Sequence, residues 1–127
     1  MRKWGNGMPN RPSRFYSKNQ EKRVAKDLDG RRTPNSGATP WQKGDVTTKN
    51  FLVECKTAMT EKQTFSIPKK WLKALPDEAF ACGKDYWALA FDYGDGNEYY
   101  IIDKKLFKQV KEVLENEQDK NDAETSS

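Results

Sequence analysis

Apolar positions recur with a helical period at three places along the chain. The first stripe is Val24, Ala25 and Leu28, and one turn further back it reaches Glu21. Ser17 with Gln20 three residues later reads as a capping box, so the spacing predicts a helix from Ser17 to about Asp29 that stops at Gly30. The second stripe is Trp71, Leu72, Leu75, Ala79 and Phe80, entered through Ser66 and Pro68, ended before Gly83, and kinked or divided by Pro76. The third is Leu106, Phe107, Val110, Val113 and Leu114, capped by Asp103, with polar sequence that frays from about Glu117.

Between the helices the period falls to two. Residues 31–42 read as a short extended segment broken by turns, followed by strands at Gly44–Thr48 and Phe51–Thr57. Two further strands, Tyr86–Asp92 and Glu98–Ile102, flank a turn-rich YGDGN. The resulting order is α-β-β-β-α-β-β-α, an α/β fold with a mixed central β-sheet flanked by helices. Residues 1–16, with two glycines and two prolines and no sustained period, read as a basic flexible N-terminal arm. Residues 17–118 form a single domain and 119–127 an acidic polar tail.

The tight turn at Lys49-Asn50 has a chemical consequence. A two-residue connection sets Asp45 directly across from Glu54, and Lys43 across from Lys56. Lys56 follows Glu54 by two positions and shares its face, while Cys55 points the other way into the core. Two carboxylates meeting on one sheet face repel each other, and a bound divalent cation resolves that conflict. A lysine beside them can orient the attacking water and offset transition-state charge. The same triplet also suits an ordinary surface hairpin with solvated ion pairs.

Charge bears on the partner. Residues 1–50 carry 12 basic and 4 acidic side chains, residues 51–110 carry 9 of each, and residues 111–127 carry 2 and 6. A basic half of this kind suits a polyanion such as DNA, with Arg11, Arg14, Lys22, Arg23, Lys26, Arg31, Arg32 and Lys43 as candidate phosphate contacts. The chain has no histidine, which excludes histidine-ligated zinc fingers, HNH-type nucleases and Ser-His-Asp hydrolases. Its two cysteines make no disulfide framework, so a cytoplasmic, reducing setting is expected, and no apolar run is long enough to span a membrane. Asp92, Asp95 and Glu98 read as a hairpin turn and not a calcium loop, and Trp71 and Trp87 read as core.

The string GDV…FLVECKT, preceded by a helix with Glu21 and by Ser36-Gly37-Ala38, resembles the PD-(D/E)XK nuclease superfamily. More narrowly it is similar to the archaeal-type Holliday junction resolvases and their relatives carried by phages and prophages, over roughly Ser17 to Ile102. The resemblance implies a restriction-endonuclease-like, resolvase-like core and a structure-selective endonuclease acting on four-way junctions in recombination or repair. It assigns Asp45 and Glu54 as ligands of Mg2+ (with Mn2+ able to substitute), Lys56 as the catalytic lysine, and Glu21 as a further acid at the metal. It sets Ser36 near the scissile phosphate and implies a homodimer with two active sites. The sequence departs from the family pattern at Gly44, where a proline often precedes the aspartate. Two other readings stand beside this one: a PD-(D/E)XK nuclease of repair, nicking or restriction type, and a non-catalytic basic DNA-binding accessory protein.

Overall fold

The computed structural model describes residues 13–33 and 45–126. Its elements run α1 (Ser13–Leu28), β1 (Arg31–Arg32), β2 (Asp45–Thr47), β3 (Phe51–Thr57), α2 (Lys69–Ala81), β4 (Tyr86–Asp92), β5 (Tyr99–Ile101) and α3 (Lys104–Ser126). This is the α-β-β-β-α-β-β-α order that the hydrophobic pattern predicts. The five strands lie side by side in sequence order, antiparallel except for the parallel pair β3 and β4. A parallel pair needs a long crossover, and α2 provides it. Among the described residues no helix is long and apolar enough to cross a membrane.

The pleat sorts the core into two layers. Val46, Val53, Cys55, Ala88 and Ala90 pack with Val24 and Ala25 of α1 on one face. Leu52 and Leu89 pack with Leu75, Ala79, Trp71 and Leu72 of α2 on the other. Both faces of β3 are therefore covered, and four consecutive residues of it, Leu52 to Cys55 with half-buried neighbours, leave water almost entirely.

Several local expectations change. α1 begins at Ser13, so Ser17 lies inside the helix and cannot cap it; Gln20 is fully buried instead of closing a capping box. At the other end Asp29, not Gly30, takes the left-handed conformation, with φ 53°, and the Gly30 amide bonds back to Ala25 O at 2.8 Å. Gly30 is required for another reason: a Cβ there would lie 2.8 Å from both Thr47 O and Val46 Cγ1. Gly30→Ala must push α1 and β2 apart and is expected to cost roughly 1–3 kcal/mol, read from urea unfolding.

α2 starts after Pro68, whose position is the cap itself, and continues undivided through Pro76 to a left-handed Gly83. Phe80, expected inside, is 86% exposed. Asp103 caps α3 as expected, accepting from the Leu106 amide at 2.8 Å. Of the α3 stripe, however, only Leu106 is buried; Phe107, Val110, Val113 and Leu114 are 40–64% exposed, and the helix continues past Glu117 to Ser126. The rest of the fold ends before α3 does, so nothing in the chain's described residues covers them.

Candidate active site

The turn after β2 fixes the register of everything that follows. The Thr48 amide bonds to Phe51 O at 3.0 Å, and the Thr48 hydroxyl accepts from the Phe51 amide at 3.1 Å. This leaves Lys49 and Asn50 as the loop and makes Asp45 and Glu54 direct cross-strand partners. Their side chains share the α2 face, half-buried for Asp45 and fully buried for Glu54. Lys56 follows on the same face, with Nζ 3.4 Å from Glu54 Oε2 and 4.4 Å from the centre of the Trp71 ring. The Trp71 ring of α2 thus meets the ammonium itself, which touches both the indole face and the Glu54 carboxylate.

The sequence reading therefore recovers the Asp45–Glu54–Lys56 grouping but not its supports. Gln20 donates from Nε2 to the main-chain oxygens of Lys56, at 2.6 Å, and Ala90, at 3.4 Å. It is a fully buried amide clamping β3 and β4 where the lysine emerges. Its signal was present in the sequence, since Gln20 stands four residues before Val24 on the same stripe. Nothing in the sequence alone foretold that Trp71 lies beside Lys56.

Glu21 is buried, as the extended stripe implies, but it approaches from α1, on the sheet face that carries Val53 and Cys55. Arg32 Nε stands 3.3 Å from its carboxylate. Arg32 thus pairs with an internal acid. The same holds for Arg23, whose Nη2 lies 2.7 Å from both Asp92 and Glu98. Lys22, Lys26 and Arg31 are exposed cations on α1 and β1. Arg11, Ser36 and Lys43, and the side chain of Arg14, lie outside the described residues.

The Asp92–Glu98 pair was legible only as a turn. Asp92 is 1% exposed and accepts from the Thr57 hydroxyl at 2.6 Å and the Gly94 amide at 3.0 Å. Burial, with Asp92 beside it, holds the Glu98 carboxyl above its ordinary value despite the Arg23 hydrogen bond. These groups join α1 to the β4–β5 hairpin and are structural.

Cys55 lies at the centre of the acidic groups. Burial first, then the charges of Glu21, Asp45, Glu98 and Glu54, push its thiol far above the usual range. Cys82 is exposed. Native protein at pH 8 should therefore release one equivalent in a thiol titration, from Cys82, with the second appearing only on unfolding.

The donor set fits a hard divalent cation in one part and not in another. Asp45 and Glu54 supply two oxygen-bearing groups on one face, with the Lys56 ammonium beside Glu54. One or two carboxylates with water suffice for Mg2+. A third protein ligand is not assembled: among the described residues no three Asp, Glu or Cys side chains gather in a metal-holding group. Compared with protein-family models, curated proteins and solved structures, the chain finds no match in any of the three.

Proposed function

We propose that this chain is a metal-dependent DNA endonuclease that resolves four-way junctions by phosphodiester hydrolysis. The observation that carries the reading is the pairing of Asp45 opposite Glu54 with Lys56 on the same face, its ammonium 3.4 Å from the Glu54 carboxylate. Asp45 and Glu54 would hold Mg2+, or Mn2+ in its place, and Glu21 would support them from the α1 side. When bound, such an ion supplies positive charge to the phosphate and a water of lowered pKa.

The protein's own groups do the rest. Lys56 presents an ammonium to the scissile phosphate, orients the attacking water and offsets the charge that develops on phosphorus oxygens. Gln20 and Trp71 keep it from drifting, one through its backbone and the other through a cation–π contact with its ammonium. Lys22, Lys26 and Arg31, and with them Arg11, Arg14 and Lys43 of the same basic half of the sequence, would contact the DNA backbone, and Ser36 would act at the cleaved phosphate. Shape and phosphate contacts of this kind select a branched structure without reading bases. Two nicks placed symmetrically across a junction call for two copies of the enzyme. The free cysteines suit a reducing cytoplasm.

The test is cleavage of an end-labelled four-way junction beside linear duplex and single strand, in magnesium. Paired nicks on the junction alone are expected. Cutting of every substrate would shift the reading to a general PD-(D/E)XK nuclease. Salt-sensitive binding without cutting, in magnesium and in manganese, would overturn catalysis and leave a DNA-binding accessory protein.

A further inference from the structure

α3 is 23 residues long, about 34 Å at 1.5 Å per residue, and only Leu106 at its base is buried. Its seam runs Phe107, Val110, Leu114, Glu117, Asn121 and Glu124 at alternating spacings of three and four. The seam is apolar for two turns and acidic or polar thereafter, and Val113 widens the apolar part. Phe107, Val113 and Leu114 are each more than 60% exposed and Val110 40%, so the stripe is a contiguous apolar face in water.

The charges of this helix run against its dipole. Lys104, Lys105, Lys108 and Lys111 fill the first eight positions without an acid, while the remainder holds six acids and one lysine. The first turn carries no acidic group and the last no basic one. A helix standing alone is stabilised by the opposite arrangement. A second α3 lying antiparallel eases the conflict, since its Glu112, Glu115 and Glu117 come to rest beside this basic half and its own basic half beside the same acids of this copy.

We propose that two copies of this chain associate through α3, antiparallel and about a two-fold axis between Val110 and Lys111. That centring overlays Phe107 of one copy on Leu114 of the other, and it sets Glu117 against Lys104 twice over. Parallel pairing would place Glu117 on Glu117 and Glu124 on Glu124. The interface is isologous, which closes the assembly at two copies. The pairing involves no DNA and no metal, and it stands or falls separately from the nuclease reading.

Sedimentation of the full chain should give a dimer of about twice 14.7 kDa, dissociated by Leu114→Glu with helicity retained. Glu117→Lys should weaken the dimer by roughly tenfold through its two symmetric pairs, and adding Lys104→Glu should restore it. In a Cys82→Ser background, Val110→Cys should oxidise to a covalent dimer, whereas Glu124→Cys, about 40 Å from its counterpart, should stay reduced. A monomer at 100 μM would overturn the proposal, as would a dimer indifferent to Leu114→Glu. Cross-linking through Glu124→Cys would overturn the antiparallel arrangement.

Discussion

Asp45→Asn is expected to abolish magnesium-dependent cleavage while leaving DNA binding in place. Asp45 and Glu54 face each other across a ladder whose register is fixed by a two-residue turn. Loss of groups that merely support a metal site costs about 10- to 100-fold, so loss of a direct ligand should exceed 100-fold. Affinity for DNA should hold or rise, because the substitution removes a negative charge near the phosphate. Lys56→Met keeps an unbranched side chain at this position and removes the ammonium that touches Glu54 and Trp71. The expected loss is about 2.7–4 kcal/mol of transition-state stabilisation, seen in the single-turnover rate and not in affinity. Undiminished cleavage by either variant would dismiss the site.

Arg23→Leu is the change with the largest expected effect on stability. One guanidinium bridges α1 to Asp92, 1% exposed, and to Glu98, whose side chain is 5% exposed. Its removal leaves two buried carboxylates facing each other, which typically costs 3–5 kcal/mol for a buried pair. Arg23 is itself 37% exposed, so a value discounted below that range, about 2–3 kcal/mol, is expected in urea unfolding at pH 7.

The pH dependence identifies the groups. Glu98 has a folded-state pKa above its ordinary 4.5, raised chiefly by burial. The folded chain then holds that proton to a higher pH than the unfolded one, so its stabilising contribution is present below about 4.5 and is lost as pH rises through the raised value. The parent should lose stability relative to Glu98→Gln across that window. In Arg23→Leu the counter-charge is gone, the window extends upward, and the deficit should shrink on acidification. A deficit independent of pH would show that Arg23 acts only through packing of its stem.

The placement of the catalytic candidates was readable because it depends on local rules. Strand alternation decides which residues share a face, and a two-residue turn decides which residues oppose each other; together they bring Asp45, Glu54 and Lys56 to one place. Gln20 was misread for a corresponding reason. Its spacing from Ser17 satisfies a capping rule, but α1 gains another turn at Ser13, and the amide is used instead to join two strand ends 36 and 70 residues away.

What the sequence alone determined is the order of elements, the two-layer core and the opposed carboxylates, since each follows from periods of 3.6 and 2 and from turn length. What only the tertiary structure decided is the partner of each charge and the cover of each apolar face. Arg23 and Arg32 are cations in any reading of the chain, and packing sets each against buried acids. Phe107 and Leu114 have the spacing of a core stripe, yet the sheet ends before it can cover them. Periodicity reports that a face is apolar and composition reports the sign of a charge. Which surface or counter-charge meets them is set by contacts between residues far apart in the chain.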